Sequence, residues 1–281
     1  MTTLAPQNLL RWGEGRQELR VHELNAPSMK GATMCDVGAL DDNPIALFLD
    51  VDGTLLDLAP RPDDVVTPAG LVATLARTER KLAGALALIS GRAIDDIDHL
   101  FAPLRLRASG VHGAEIRLDP DAPITPMAAA ELPRSLLAAL RLAIEPFPGV
   151  FVEDKRFSFT VHYRLAPSAE RPLRELIKQL VEPLPIALDI MDAHYAIEIK
   201  SPGFDKGVAI ATFLSTSTFR GRTPIFVGDD TTDESGFAVV SARGGLAYSV
   251  GRPRKGAIGS FSQPEAVREW LAEFVARGSP A

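Results

Sequence analysis

The chain holds one cysteine, Cys35, among 281 residues, so no intrachain disulfide can form. Nothing around Cys35 marks it as a nucleophile, and it reads as an incidental thiol. No apolar stretch approaches the roughly 18 residues that a membrane-spanning helix needs. The N-terminus has no basic segment leading into an apolar one, so no secretory signal is expected and the expected location is the cytoplasm. Lys/Arg-rich runs are missing and the net charge is −6. Both argue against nucleic acid or an anionic membrane as the main partner. Internal repeats and low-complexity tracts are missing too. What is plentiful is apolar residue, 46% of the chain, enough for a sizeable core in one large domain or two smaller ones. A monomer or weak homo-oligomer is expected.

Residues 1–43 carry little periodicity and read as an extension, with Trp12 as a potential anchor. Ile45-Ala46-Leu47-Phe48-Leu49 then runs straight into Asp50-Val51-Asp52-Gly53-Thr54-Leu55. A short continuous apolar run predicts a strand buried on both faces, as in a parallel sheet. Gly53 turns the chain, which puts Asp50 and Asp52 at the carboxyl end of that strand, where ligands sit in open α/β sheets. Side chains two apart share a side, so the two aspartates can serve one site. An Asp-rich turn would read the same way if the motif stopped there.

A proline-rich loop follows (Pro60, Pro62, Pro68), and a helix is predicted to open at Pro68, with Leu71, Leu75 and Leu82 on its apolar side. Ala85–Ser90 is a second buried strand, ending in Ser90-Gly91-Arg92 before a helical period at Ile94, Ile97 and Phe101. Repeated strand–turn–helix order implies a parallel sheet. Leu106–Ile116 reads as extended. The pattern then changes to a helix (133–146), strands 150–153 and 157–163, a second helix (168–182), and strands 185–190 and 195–199. Phe157, Phe159, Val161 and Tyr163 alternate with Ser158, Thr160, His162 and Arg164, the signature of an antiparallel sheet with one polar face. The predicted fold is therefore α/β, a parallel-sheet core over 44–117 and 201–281, interrupted by an α+β module of order αββαββ over 118–200. In the last part, Lys206-Gly207 opens a helix, strand 224–227 ends in Gly228-Asp229-Asp230-Thr231-Thr232-Asp233-Glu234, and Leu246–Val250 is a further strand. Ser262-Gln263-Pro264-Glu265 spells a capping box before a helix whose period turns Trp270 to the core.

A parallel sheet gathers its strand ends on one edge. Asp50, Asp52, Asp229, Asp230, Asp233 and Glu234 would repel one another there unless a cation sat among them. A hard divalent ion such as Mg²⁺ suits oxygen donors of this kind. Taken alone, 229–234 could instead be an acidic helix N-terminus.

The stretch DVDGTL at 50–55 resembles the nucleophile motif of the haloacid dehalogenase superfamily. Within it, the chain is similar to the trehalose-6-phosphate phosphatases over about 44–275. The likeness rests on DVDGTL with Pro60, Ser90-Gly91-Arg92, Gly110-Val111-His112-Gly113-Ala114-Glu115, Glu153-Asp154-Lys155 with His162-Tyr163-Arg164, Glu198–Gly203 with Lys206-Gly207, and Gly228–Glu234. Ser201 and Val51 depart from the usual pattern, at positions without a chemical role. The resemblance implies a Rossmann-like core with a C2-type cap at 118–200. It implies Asp50 as nucleophile and Asp52 as acid and base, with Ser90, Gly91 and Lys206 holding phosphate. It implies Arg92, His112, Glu153, Lys155 and Glu198 on the substrate, and Asp50, Asp52, Asp229 and Asp233 around Mg²⁺. Neighbouring carboxylates are expected to keep Asp52 partly protonated. The activity implied is hydrolysis of a small-molecule substrate, trehalose 6-phosphate, through an aspartyl-phosphate. Sucrose phosphate or mannosylglycerate phosphate phosphatases, a phosphomutase, and a silent sugar-phosphate sensor or partner subunit are the alternatives.

Overall fold

Strand β1, Ile45–Leu49, is buried at every residue and lies in the middle of an eight-stranded sheet. A computed structural model describes residues 44–61, 64–127, 131–193 and 195–277. The extension 1–43, with Trp12 and Cys35, and Pro62 of the proline-rich loop lie outside them. In chain order the elements are β1, α1 (Leu71–Lys81), β2 (Leu86–Ile89), α2 (Ile94–Leu100), β3 (Arg107–Gly110), β4 (Glu115–Arg117), β5 (Thr125–Pro126), α3 (Arg134–Ala143), β6 (Phe151–Asp154), β7 (Ser158–His162) and α4 (Glu170–Val181). Then come β8 (Asp189–Ala193), β9 (Ala196–Lys200), α5 (Lys206–Ser215), β10 (Thr223–Gly228), α6 (Glu234–Ser241), β11 (Leu246–Val250), β12 (Gly259–Phe261) and α7 (Pro264–Ala276). Among the described residues, no helix is long and apolar enough to cross a membrane.

The large sheet has the order β12-β11-β10-β1-β2-β3-β4-β5, parallel from β12 to β3 and antiparallel at its last two strands. From β1 the chain moves out one way to β2 and β3. From β10 it moves out the other way to β11 and β12. The carboxyl ends of β1 and β10 therefore flank the point where strand order reverses, which opens a crevice there. Helix α1 packs with α7 and α5 with α6. Phe48, Phe213 and Phe219 pack ring on ring beneath the crevice. Trp270 is core-facing as its period predicts, at 2% exposure.

The second sheet is antiparallel, in the order β6-β7-β9-β8. Its apolar face carries Phe159, Val161, Ile197 and Ile199 against Leu136, Leu140, Leu173 and Ile177 of α3 and α4. The opposite, polar face is not solvated throughout: Ser158, Thr160, Glu198 and Lys200 are buried.

Several local expectations shift. Leu106–Ile116 is not one extended run. Gly110 leads into a single 3-10 turn at Val111–Gly113, and β4 returns antiparallel to β3. Helix α1 starts at Leu71, because Gly70 at φ +82° ends the preceding turn. The strand predicted at 185–190 forms at 189–193, since register with β9 pairs Asp189 with Lys200 and Ile190 with Ile199. The capping-box spelling at Ser262 is not used: Gln263 is the N-cap, without a side-chain cap, and Pro264 takes the first turn. A capping box does form at Asp230–Asp233, where each side chain accepts from the other residue's end of the turn.

Candidate active site

Asp50 follows β1 directly, its N–H donated to the Val227 carbonyl of β10. Val51 then accepts from the N–H groups of Leu55 and Leu56, closing the tight turn that Gly53 permits at φ +76°. A side chain at Gly53 would place Cβ 2.3 Å from Asp229 Oδ2, so glycine also lets the two acidic loops approach. Asp50 is 3% exposed. Its Oδ2 accepts from Thr54 Oγ1 at 3.1 Å and its Oδ1 from Lys206 Nζ at 2.6 Å.

Lys206 is the first residue of α5, whose N-cap Asp205 accepts from the Val208 N–H at 2.8 Å. Its ammonium sits between Asp50 and Asp233, the latter at 2.7 Å, and is itself buried. Burial opposes that charge, but the two carboxylates outweigh it and raise the Lys206 pKa further. Asp233 is fully buried: its Oδ1 faces Lys206 and its Oδ2 accepts from the Asp230 N–H at 2.9 Å.

Asp50, Asp229 and Asp233 each bring a carboxylate oxygen within 4.8 Å of the others. Burial, then the neighbouring carboxylates, drive Asp229 up to about 9. Burial also lifts Asp50, to about 7, against the pull of Lys206. Carboxyls raised in this way, by burial first and then by one another, suit a site for a divalent cation, whose charge would reverse that balance. The donor set is oxygen only, which fits Mg²⁺ or a similar hard ion.

Asp52 lines the same cleft as Asp50 but has a different partner. Its carboxylate is not in the acidic cluster but is gripped by Arg92, Nε to Oδ2 at 2.7 Å and Nη2 to Oδ1 at 2.8 Å. Strand β1 ends at Leu49, so its alternation does not carry on through Asp50 and Asp52, and the two side chains meet different partners. Ser90 is fully buried; its hydroxyl accepts from the Arg92 N–H at 3.1 Å, and α2 begins later, at Ile94. Gly91 abuts His112, whose Nε2 would lie 2.4 Å from a Cβ there.

His112 has φ +52° and follows Val111 at φ +48°, two successive non-glycine residues in the left-handed region. Such positions cost about 1–3 kcal/mol each and persist where surrounding structure enforces them. Here Glu115, buried behind the turn, accepts from the Ile94 N–H at 2.6 Å and ties the turn to α2. The turn delivers His112 Nε2 to Glu198 Oε2 at 3.0 Å. Burial alone would raise Glu198, but His112 and Lys155 outweigh it and hold the carboxyl at about 2. Glu153 is likewise held at about 2, against burial, by Lys155 at 3.6 Å and His162 at 2.7 Å.

All these charged and polar side chains except Thr54, Ser90, Glu115, Asp205 and Asp233 line one cleft, which holds about 900 Å³ counting its open mouth. Its floor is acidic and cationic at Asp50, Asp229 and Lys206. Its other wall is the polar face of the second sheet. The sequence reading gave no role to Thr54, Thr160, His162 or Arg254. Arg254 donates to the Asp229 carbonyl at 2.8 Å and to Asp230 Oδ1 at 3.1 Å, fixing the acidic loop. It follows β11, one more parallel strand ending at the crevice, and that placement is the signal that points to it.

Residues 48–260 match the family described as trehalose-phosphatase. The chain is 41% identical over 229 residues to a probable trehalose-phosphate phosphatase of Sinorhizobium fredii (strain NBRC 101917 / NGR234), covering 81% of this chain and 86% of the relative. It is 41% identical over 207 residues to the trehalose-6-phosphate phosphatase of Escherichia coli (strain K12), covering 73% and 77%. The C-terminal domain of a Candida albicans trehalose-6-phosphate phosphatase has the same fold, with a TM-score of 0.75 at 20% identity over 85% of this chain and 95% of that one. With its haloacid-dehalogenase-like core, the chain belongs to the trehalose-phosphatase family of phosphoric monoester hydrolases.

Proposed function

We propose that this chain hydrolyses trehalose 6-phosphate to trehalose and phosphate, in a Mg²⁺-dependent reaction through an aspartyl-phosphate on Asp50. The observation that carries this reading is the pairing of two unlike walls in one cleft. Asp50 sits buried on the floor with Lys206 at 2.6 Å, opposite a wall of groups suited to sugar hydroxyls. Asp50, Asp229 and Asp233 would hold the cation, with the Asp52 backbone near the same turn. When bound, the ion supplies charge stabilisation to phosphate oxygens.

The chain's own residues account for the rest. Lys206 lowers the repulsion between the Asp50 carboxylate and a phosphate dianion. An Asp50 oxygen attacks phosphorus as the bond to the sugar oxygen breaks. Asp52 protonates that oxygen, then takes a proton from the water that attacks the acyl phosphate and releases inorganic phosphate. Release of one Asp52 oxygen by Arg92 would free that oxygen to face the leaving group, since the guanidinium donates to both. Since Arg92 also lines the cleft, substrate oxygens are suited to draw it off. Ser90 and the Gly91 N–H lie at the end of β2, where phosphate oxygens would be held.

Residues 118–200 act as the cap in this reading. Glu153, Lys155, Glu198 and His112 receive the glucosyl hydroxyls, and a site built to hydrogen-bond such groups rejects sugars that leave them unpaired. A silent sensor would have no use for a buried nucleophile–lysine pair. The test is phosphate release across a panel of sugar phosphates, with and without Mg²⁺. Fastest turnover of trehalose 6-phosphate, lost on chelation, is expected. Preference for sucrose phosphate or mannosylglycerate phosphate, or no turnover of any, would refute the reading.

A further inference from the structure

One row across the polar face of the second sheet reads Glu153, Thr160, Glu198, in register on β6, β7 and β9. Neighbouring strands lie about 4.8 Å apart, so the row crosses the cleft wall in even steps. Thr160 is 4% exposed and Glu198 1%, yet both line the cleft. Glu198 Oε2 is taken by His112. Glu198 Oε1 and Thr160 Oγ1 have no hydrogen-bond partner among the described residues. Ser158, two residues before Thr160 on the same face of β7, lies close enough to Glu198 to help hold its carboxyl low, but its hydroxyl too has no partner within hydrogen-bond distance and angle, and it does not line the cleft. Native structures leave few buried polar atoms unpaired, and each one calls for a partner.

The two unpaired atoms differ in what they need. An ionised carboxylate only accepts, whereas a threonine hydroxyl donates one proton and accepts as well. They are cross-strand neighbours, yet they do not satisfy each other. A group that accepts from Thr160 and donates to Glu198 completes both, and an alcohol hydroxyl is such a group. A fully ionised phosphate oxygen is not, because it has no proton for Glu198. Thr160 also belongs to the wall opposite Asp50, so it faces what the phosphate is attached to.

We propose that Thr160 is a specificity-determining residue, donating to a substrate sugar hydroxyl that in turn donates to Glu198 Oε1. This rests on reading the chain as a trehalose-6-phosphate phosphatase. The test measures kcat/KM with Mg²⁺ for trehalose 6-phosphate and for p-nitrophenyl phosphate, which has no sugar, in the wild type, Thr160→Val, Thr160→Ala and Thr160→Ser. Both Thr160→Val and Thr160→Ala should lower kcat/KM for trehalose 6-phosphate by roughly 5- to 30-fold and change that for p-nitrophenyl phosphate by less than about 2-fold. Thr160→Ser, which keeps the hydroxyl, should return most of the loss. Unchanged turnover of trehalose 6-phosphate in the valine and alanine variants overturns the proposal. So does an equal fall on both substrates, which marks a packing role, or a serine variant as impaired as the valine one. A wild type that cleaves p-nitrophenyl phosphate but not trehalose 6-phosphate fails the underlying reading instead, and the assignment of Thr160 falls with it.

Discussion

Lys206→Met removes one charge from the most buried ionic contact of the site while keeping the length of the side chain. Lys206 Nζ lies 2.6 Å from Asp50 and 2.7 Å from Asp233, and all three side chains are at most 4% exposed. At an effective dielectric of about 20, each contact is a gross attraction of about 6 kcal/mol. Most of it offsets the cost of taking three charges out of water. What the variant exposes is therefore the cost of two buried carboxylates left without their cation, about 3–5 kcal/mol. The size of that loss should depend on pH. Asp50 is already raised to about 7 with Lys206 present, and Lys206 is what lowers it. Without the lysine, the folded protein holds protons that the unfolded chain gives up above about pH 4. Stability then falls with rising pH by up to about 1.4 kcal/mol per unit for each such group. Urea denaturation of metal-free wild type and variant at pH 5 and pH 8 should show a loss of about 3–5 kcal/mol at pH 8 and a smaller one at pH 5. With Mg²⁺, kcat should fall by about 10²-fold or more. A loss below about 1 kcal/mol, or one equal at both pH values, would refute the reasoning that Lys206 neutralises buried carboxylates.

Asp50→Asn should abolish turnover while the fold persists, because the other carboxylate on Lys206, Asp233, does not line the cleft; single-turnover rates near wild type would exclude a covalent route through Asp50. In the metal-free wild type, Asp50 and Asp229 have folded pKa values raised to about 7 and about 9, so their contribution is complete below about pH 4 and is lost as pH rises through those values. Thermal unfolding from pH 5 to pH 9 should show that decline, and Mg²⁺ should flatten it; a flat metal-free profile would contradict the crowding. Glu153→Ala and Lys155→Ala should cut kcat/KM for trehalose 6-phosphate by roughly 10²-fold or more, and for p-nitrophenyl phosphate far less. Equal losses on both substrates would assign the pair to cap structure rather than to sugar recognition.

The α/β core was legible in the sequence because its signals are local. A strand buried on both faces must be apolar throughout, as Ile45–Leu49 and Leu86–Ile89 are, and a polar turn must follow where the ligand crevice opens. The same rule located Asp50, Asp229 and Asp233 at one edge, since parallel strands can end nowhere else, and Lys206 joins them from the first turn of α5. Alternation along Phe157–Arg164 revealed an antiparallel sheet and its polar face. Whether that face met water or another layer is not a property of one strand. Packing decided it: Thr160 and Glu198 are buried only because the sheet lies over the core's crevice. Side-chain partners were equally out of reach. Two residues apart on a strand, Asp50 and Asp52 seemed to share one set of neighbours. The strand instead ends at Leu49, and beyond it Asp50 meets Lys206 while Asp52 meets Arg92, 40 residues away. Val111 and His112 carry no glycine to announce their backbone, because their left-handed conformation is imposed by Glu115 and the start of α2. Sequence determined which residues could do chemistry and at which end of the sheet. Only the folded chain decided their partners, because partners are set by the approach of segments far apart in sequence, which local pattern does not encode.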